Sequence, residues 1–208
     1  MALAGRVDYI MEQGARWYPD LLQWLDNDNN ARSLTSYAAK MQIRLNKAAT
    51  AITEVLSSAF GDLTLGGANG TIQIDMSAER TDDLTFVRAF YDLLLFPYVG
   101  SAIVAAGSYT SASIDVDDSA SGSTILADNG TPFSGLSAND YIAVTLSENS
   151  NNGVYKINTV TSTLITLTTI MAGTDNTDDT AISIQELNND QIVRFSKGYI
   201  VLDKRVTQ

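Results

Sequence analysis

Short runs in which apolar and polar residues alternate constrain the fold of this chain more than any other feature. The clearest run covers residues 37–45, where Tyr, Ala, Met, Ile and Leu occupy every second position and Lys40, Gln42 and Arg44 lie between them. Residues 71–76 repeat the pattern. A period of two places apolar side chains on one face of a β-strand. The chain is therefore expected to fold mainly as strands that are buried on one face.

Turn-forming residues separate these runs. Residues 26–30 read Asp-Asn-Asp-Asn-Asn, and the pair Asn69-Gly70 stands between two strand-like segments, 63–65 and 71–76. Asn and Asp bond their own backbone, and Asn-Gly is a strong hairpin signal. The first segment therefore predicts a tight turn, and the second predicts the turn of a β-hairpin.

Two longer apolar stretches also predict strands. Residues 16–25 contain two Trp and three Leu, and we predict a strand there with Pro19 at an edge or a bulge. A short helix is the alternative for this stretch. Residues 90–96 predict a buried strand that ends at Pro97. Between the two stretches, Ser77 is predicted to cap a short helical turn, because its hydroxyl can accept a hydrogen bond from the first helical N–H groups.

The chain contains neither cysteine nor histidine. Disulfides, thiolate nucleophiles, Cys/His zinc sites and every mechanism that uses imidazole are thereby excluded. An enzyme of this composition would have to use carboxylate, Lys, Tyr or Ser chemistry. This composition does not exclude an enzyme, but it removes the commonest catalytic mechanisms; we predict a protein that is not an enzyme and that carries no cofactor.

The net charge of −11 limits the kinds of molecule that the chain is expected to bind. A nucleic acid or an anionic membrane requires a basic face, so neither is expected as a partner. No apolar run approaches the roughly 18–20 residues that cross a bilayer. The first residues lack the basic and then apolar pattern of a signal peptide. We expect the chain to act where it is made, or in a particle assembled there.

The charge is concentrated in one stretch. Residues 98–188 contain ten acidic side chains and a single basic one, Lys156, whereas the rest of the chain contains fourteen acidic and twelve basic side chains. The acidic stretch is rich in Ser, Thr, Asn and Gly between short β-type runs, which is typical of a small all-β barrel or sandwich. The predicted strands cover residues 113–116, 123–126, 141–146, 153–160, 164–169 and 181–185.

The acidic stretch is predicted to be an inserted domain. The flanking segments 90–96 and 191–195 can pair as the two arms of a hairpin, and an insertion at a hairpin tip is tolerated because the two ends stay close. The predicted host domain is 1–97 plus 189–208, and the predicted inserted domain is 98–188. A tandem arrangement would leave the last strand without an obvious partner.

The host segments carry a recognisable series of motifs. In chain order they are Glu12-Gln13-Gly14-Ala15, Trp24, Leu34-Thr35-Ser36-Tyr37-Ala38-Ala39-Lys40-Met41, Leu63-Thr64-Leu65-Gly66-Gly67-Ala68-Asn69-Gly70, Ala89-Phe90-Tyr91-Asp92-Leu93 and Gly198-Tyr199-Ile200-Val201. The series resembles a family of small β-sandwich domains in tailed-bacteriophage virion proteins, over roughly the outer 115 residues. In that family a short turn joins the Tyr-Asp-Leu strand to the closing strand, and here about 91 residues stand between them.

The resemblance implies a fold and a location, and it carries no catalytic residues. The implied fold is all-β with little helix: an immunoglobulin-like β-sandwich host with a small inserted β-barrel or β-sandwich. The implied location is the virion, at the tail, neck, baseplate or fibre attachment. The implied partners are other virion proteins and copies of the chain itself.

Asp115, Asp117 and Asp118 form the strongest candidate for a metal site, because hard cations bind clustered carboxylates. The segment lacks the Gly and the Glu that complete an EF-hand loop, so a solvated turn is favoured over a metal ion. Residues 175–179 contain three further Asp and are interpreted in the same way. We predict no metal and no catalytic residue.

Three other patterns have simpler explanations than a functional site. Glycines between positions 61 and 70 lack the Lys-Ser/Thr of a phosphate loop and indicate a hairpin. Any chain this acidic offers carboxylate pairs of the kind that glycosidases use, and here they would come from Glu12, Asp20, Glu54 and Glu79. The aromatic residues of the host could form a sugar-stacking platform, but core packing is favoured for Trp17, Tyr18, Trp24 and Tyr37.

Several functions therefore remain open. The leading hypothesis is a structural virion protein that acts through strand faces and sheet edges. The alternatives are a capsid decoration protein, a module whose inserted domain binds a host-surface glycan, and a polysaccharide-cleaving enzyme. The glycan hypothesis requires exposed aromatic residues in the inserted domain, whose candidates are Tyr98, Tyr109, Phe133, Tyr141 and Tyr155. The enzyme requires two close carboxylates in a cleft.

Overall fold

The structure is a computed structural model, and it describes residues 5–49, 51–103, 114–117, 123–127, 130–146, 151–169 and 182–203. The chain divides into two compact units. The host unit comprises Met1–Leu95 with Ile192–Gln208, and the inserted unit comprises Phe96–Gln191. The boundaries of the inserted unit lie two residues before and three residues after those expected from the sequence.

Strands make up most of the regular secondary structure in the described part of the host unit. They are β1 (Gly5–Arg6), β2 (Tyr9–Glu12), β3 (Leu22–Gln23), β4 (Tyr37–Arg44), β5 (Glu54–Ser57), β6 (Leu63–Leu65), β7 (Thr71–Ile74), β8 (Arg88–Pro97) and, after the inserted unit, β15 (Val193–Asp203). The helical elements are the 3-10 turn Gly67–Asn69 and α1 (Ala78–Asp82). The expectation of an all-β fold with little helix is confirmed.

The host strands form two sheets that share one core. One sheet has the order β1-β15-β8-β4-β5, with β2 also paired to β15, and the other has the order β3-β7-β6. β1 and β2 run parallel to β15, whereas β8 runs antiparallel to it. Buried residues from both sheets form a single hydrophobic cluster. The two sheets therefore face each other across one core, which is the arrangement of a β-sandwich.

The strand predicted from the clearest alternation is confirmed as β4. Its inward-facing residues Ala39, Met41 and Ile43 are completely buried in the host core. Leu45 was expected on the same face but is 57 % exposed. The strand ends one residue earlier, at Arg44, so Leu45 no longer follows the alternation of the sheet.

The prediction of a continuous strand over residues 16–25 is wrong. Only Leu22–Gln23 pairs as a strand, with β7, while Trp17 forms an isolated bridge to Met76. Pro19 has no N–H to donate, so the ladder cannot run through it. Trp17 and Trp24 are 5 % and 9 % exposed. The burial of these two side chains, and not a continuous set of backbone hydrogen bonds, holds the segment against the host core.

The predicted hairpin and helix cap are both confirmed. β6 and β7 pair antiparallel around the 3-10 turn, and Gly70 adopts a left-handed conformation with φ 64°. A Cβ on Gly70 would come within 2.5 Å of the Arg32 carbonyl oxygen, so this position requires glycine. Ser77 caps α1, and its hydroxyl accepts a hydrogen bond from the Arg80 N–H at 3.4 Å.

The strands on either side of the inserted unit are paired with each other. β8 and β15 run antiparallel from Leu95 opposite Val193 to Arg88 opposite Val201, with an irregularity between Arg194 and Ser196. The closing strand β15 extends well beyond the expected hairpin arm 191–195, because pairing with β8 continues across Gly198.

The described part of the inserted unit contains six strands, each of which overlaps a predicted one. They are β9 (Ile114–Asp117), β10 (Thr124–Ala127), β11 (Tyr141–Thr145), β12 (Gly153–Val160), β13 (Leu164–Leu167) and β14 (Ser183–Leu187). They form one sheet with the order β14-β11-β12-β13-β10-β9, and every described pair is antiparallel.

One hydrophobic cluster receives side chains from all six strands of the inserted unit. It includes Ile114 and Val116 from one end of the strand order and Ile184 from the other. A flat six-stranded sheet would separate its outermost strands by more than 20 Å. The sheet is therefore rolled around its own core. Within the described residues of the chain, no helix is long and apolar enough to cross a membrane.

Candidate functional site

The face of the large host sheet that points away from the core carries the candidate site. Because side chains alternate along a strand, Phe90 and Asp92 of β8 share this face with Lys197 and Tyr199 of β15. Phe90 lies directly opposite Tyr199, and Asp92 lies directly opposite Lys197. The neighbouring strand β4 adds Arg44 to the same surface.

These residues line a cavity of about 470 Å³. Its size falls within the usual range of ligand pockets. We call it the cationic pocket, and it is defined by five basic and two aromatic side chains: Arg6, Arg44, Lys47, Arg194, Lys197, Phe90 and Tyr199. Asp92 is the one carboxylate in its lining. A local excess of positive charge therefore stands on a chain whose net charge is −11.

The aromatic pair forms one wall of the cationic pocket. The ring centroids of Phe90 and Tyr199 are 4.4 Å apart at an interplanar angle of 50°. The Lys47 ammonium lies 5.3 Å from the Phe90 ring, and the Arg6 guanidinium lies 5.2 Å from the Tyr199 ring. Arg88 stacks on Tyr199 at 3.4 Å. Such contacts hold the cations in place while leaving their charge uncompensated.

Two of the five cations have carboxylate partners. Arg6 pairs with Asp8 at 2.9 Å, and Arg194 pairs with Asp92 at 3.1 Å. The hydrogen bond from Arg6, followed by one from the Tyr199 N–H, lowers the pKa of Asp8 below its usual value. Asp8 is therefore a permanent anion near neutral pH, and it fixes the position of the Arg6 guanidinium.

The other three cations have no carboxylate partner within the described residues. Arg44 donates from Nη2 to the Gln42 Oε1 at 2.5 Å, but its Nε is buried and has no acceptor. No ion pair is formed by Lys47 or Lys197 in the described part of the chain. A buried donor without an acceptor costs about 1–3 kcal/mol. An anionic group in the cavity would offset that cost.

A close backbone contact shapes the floor of the pocket. Gly198 lies against the chain between β1 and β2, so that a Cβ at this position would stand 1.9 Å from the Val7 carbonyl oxygen. Asp8 accepts a hydrogen bond from the Tyr199 N–H at 3.0 Å across the same contact. Glycine is required here by the approach of two backbones, which places Arg6 beside Tyr199.

The predicted metal candidates lie largely outside the described residues. Asp115 and Asp117 belong to β9, where their backbones pair opposite Leu126 and Thr124. Their side chains, Asp118 and residues 175–179 lie outside the described part of the structure. Among the residues that are described, no group of three or more carboxylates could hold a metal ion.

Of the four carboxylates weighed as a glycosidase pair, Glu54 is held in an ion pair. Glu54 bonds Arg80 at 2.6 Å, and Arg80 also bonds Asp62 at 2.5 Å, with the Asp62 side chain only 9 % exposed. Burial raises the pKa of Asp62, although the contact with Arg80 opposes the shift. This arrangement is an ion-pair network that joins β5 to α1 rather than an open acid–base pair.

Most of the host aromatic residues that were considered for a sugar-stacking platform lie in the core or pack against it. Trp17 and Trp24 are buried, and the ring of Tyr37 packs edge-on against Trp24 at 5.7 Å. Tyr18 is the exception, since it is 58 % exposed. In the inserted unit, Phe133 and Tyr155 are buried; Tyr98 and Tyr141 are half-buried, and Tyr109 lies outside the described residues.

Comparison of the chain with protein-family models and with curated protein sequences found no match. The cationic pocket was not anticipated from the sequence, because its residues come from four separate segments. The register of β8 against β15 is the signal that could have revealed it. Once Phe90 is placed opposite Tyr199, Asp92 and Lys197 follow as the next pair on the same face.

Proposed function

We propose that this chain is a non-catalytic structural component of a tailed-phage virion that acts through protein–protein contacts. The observation that carries the proposal is an interruption of the host sandwich at a single hairpin, between β8 and β15, by a complete second β unit. Such an architecture separates a part that anchors the protein from a part that contacts a neighbour.

The strand order supports an immunoglobulin-like host. In chain order, β3 to β8 followed by β15 correspond to strands B, C, C′, D, E, F and G of that fold. The small sheet β3-β7-β6 then reads B-E-D, and the run β15-β8-β4-β5 of the large sheet reads G-F-C-C′. This correspondence agrees with the resemblance to the β-sandwich domains of phage virion proteins.

The position of the inserted unit supports a role in recognition. On the same correspondence it occupies the F–G loop, which in immunoglobulin variable domains is one of the antigen-binding loops. An element placed there extends from a rigid pair of strands, and function is often carried by connections that a rigid scaffold positions. The inserted unit would contact a neighbouring virion protein or another copy.

The side chains of the cationic pocket support a protein partner. Arg, Tyr and Phe are enriched in protein–protein interfaces, and all three occur together on the exposed face formed by β8 and β15. The proposed sites in the particle are the tail, neck, baseplate or fibre attachment. The capsid surface is the alternative site. A decoration protein bound there would use the same kind of protein–protein contacts.

Quantitative mass spectrometry of purified particles from the phage that encodes this chain tests the proposal. A structural component is expected in a fixed ratio to the major capsid protein, in every preparation and after a high-salt wash. A chain recovered only from the lysate, and absent from washed particles, would contradict it. Isolated protein would then be assayed for binding and cleavage of host-surface polysaccharides.

A further inference from the structure

The inserted unit of this chain is strongly acidic, whereas the host unit, with thirteen acidic and twelve basic residues, is close to neutral and has a local cationic surface. Residues 96–191 contain eleven acidic side chains and a single basic one, Lys156, whereas the host unit contains twelve of the thirteen basic residues. Five of those twelve line the cationic pocket. Positive charge is thus gathered at one place on the host unit, while the inserted unit is acidic throughout its sequence.

Groups without a counter-ion occur on both units. In the host unit, Arg44, Lys47 and Lys197 have no carboxylate partner among the described residues. In the inserted unit, Asp140 and Glu186 form no ion pair within the described part of the chain. Burial, and then repulsion by Asp140, raises the pKa of Glu186. The cationic pocket therefore has cations without a carboxylate partner, and the inserted unit has carboxylates without a cation.

We propose that the cationic pocket is the docking site for the inserted unit of a second copy of this chain, with carboxylates entering the pocket beside the Phe90–Tyr199 wall. The inference deepens the proposed function by naming one of its partners. Asp140 and Glu186 are the carboxylates assigned to the contact, because they are close enough to repel each other and form no ion pair among the described residues. Asp140 also accepts hydrogen bonds from the Ser137 N–H and the Asn189 Nδ2, which hold its carboxylate in place. The carboxylate oxygens would accept hydrogen bonds from the guanidinium and ammonium groups of the pocket.

A protein carboxylate fits the pocket better than a nucleic acid. A polyanion approaching the chain meets a net charge of −11, and repulsion at low salt slows its association. A copy of the chain has the same net charge, but its negative charges are separate carboxylates of a folded unit rather than the continuous row of phosphates of a nucleic acid. At physiological salt, charges more than about 8 Å apart are largely screened. The local complementarity then dominates.

The contact joins two different surfaces, so it is heterologous. A dimer formed in this way still offers one free pocket and one free acidic unit to further copies. Repetition of a heterologous contact produces a closed ring when the rotation closes, and an open filament when it does not. A ring is the form that a component placed around the axis of a phage particle would take.

Sedimentation-velocity ultracentrifugation of the full chain at 50 mM and 500 mM NaCl tests the inference, with three double variants. The pocket variant is Lys47→Gln with Lys197→Gln, and the acidic variant is Asp140→Asn with Glu186→Gln. The control is Arg16→Gln with Arg32→Gln, which removes the same positive charge from the host unit outside the pocket. Circular dichroism and urea unfolding show whether each variant is folded.

The expected result has three parts. The unmodified chain and the control form oligomers at 50 mM NaCl whose dissociation constant rises about tenfold or more at 500 mM, because screening weakens the contact. The pocket variant and the acidic variant each associate about tenfold more weakly. An equimolar mixture of the two variants regains association but stops at the dimer, because only one intact pocket and one intact acidic unit remain.

Other results would overturn the inference. Folded full-length chain that stays monomeric at 50 mM NaCl, or a control variant as defective as the pocket variant, would exclude docking between copies through this pocket. Binding of sodium polygalacturonate by a monomeric chain, abolished by the pocket variant, would assign the pocket to an acidic polysaccharide instead. If the chain is a fixed part of washed particles and its association is insensitive to both double variants, this inference fails while the proposed function stands.

Discussion

The rings of Phe90 and Tyr199 lie 4.4 Å apart, directly opposite each other on β8 and β15. The pair forms the wall of the cationic pocket on the same two strands that flank the inserted unit in the chain. Aromatic cross-strand pairs contribute up to about 1 kcal/mol to sheet stability. Most of the pocket lining therefore comes from paired strands, and Lys47 comes from the turn that follows β4.

Gly198→Ala is predicted to lower the free energy of unfolding by about 2–3 kcal/mol. The new methyl group would stand 1.9 Å from the Val7 carbonyl oxygen, which is backbone and cannot rotate away. Gly5→Ala is the matched control, because no atom lies within 4 Å of its added Cβ. Urea unfolding followed by tryptophan fluorescence measures both. Equal midpoints for the two variants would contradict the close contact.

Arg80→Met is predicted to destabilise the host unit by about 2–4 kcal/mol, because it leaves the Asp62 carboxylate buried without its cation. Adding Asp62→Asn should recover part of that loss. Arg16→Met is the control, since Arg16 pairs with Asp75 at an exposed site and its loss should cost less than about 1 kcal/mol. Thermal unfolding of the three variants and of the unmodified chain at pH 7 measures these differences. An Arg80 variant no less stable than the Arg16 variant would contradict the assigned network.

Stability is predicted to rise with pH between about 7.5 and 9.5 because of Lys40. Burial, and then repulsion by Arg44, lowers the pKa of Lys40 from the ordinary 10.5 to about 8. Between these two values the unfolded chain binds more protons than the folded chain, so raising the pH favours the folded state. The expected gain is roughly 2 kcal/mol across the window.

The Lys40→Met variant tests whether Lys40 causes this pH dependence of stability, because the substitution removes the titrating group and keeps a side chain of similar length. The free energy of unfolding of the variant is expected to be flat with pH from 7.5 to 9.5. Above pH 10 both proteins should lose stability, because burial raises the pKa of Tyr155 to about 12 and the unfolded chain then releases its tyrosine protons first. An unchanged slope in the Met variant would rule out Lys40 as its source.

The host unit is predicted to fold without the inserted unit. Leu95 lies opposite Val193, so replacing the intervening residues by Asn-Gly would close β8 and β15 with a two-residue hairpin turn. The shortened chain should unfold cooperatively in urea, give a dispersed amide NMR spectrum and remain monomeric at 50 mM NaCl. A spectrum with collapsed amide dispersion would show that the host core depends on the inserted unit.

The strands with strong local signals could be predicted from the sequence. β4 shows strict alternation, the β6–β7 turn has Asn-Gly at its end, and Ser77 precedes α1 as a cap. In each case neighbouring residues contain the information. The prediction for residues 16–25 was wrong, because apolar residues occur there for another reason. Two of them, both Trp, are buried in the core without the segment forming a continuous paired strand.

The cationic pocket could not be predicted in the same way. Arg6, Arg44 and Lys197 lie far apart in the sequence, and each taken alone looks like an ordinary surface cation. Only the parallel pairing of β1 with β15 and the position of β4 beside β8 bring them together. Pairing between distant strands, which sets this geometry, leaves no periodic signal in a single sequence.

Cryo-electron microscopy of the purified particle tests the central claim most directly. We predict density for this chain in a symmetric arrangement at the tail, neck, baseplate, fibre attachment or capsid surface, with the host unit docked into the particle and the inserted unit contacting a neighbour. A complete particle map in which every ordered density is accounted for by other proteins would contradict the structural role.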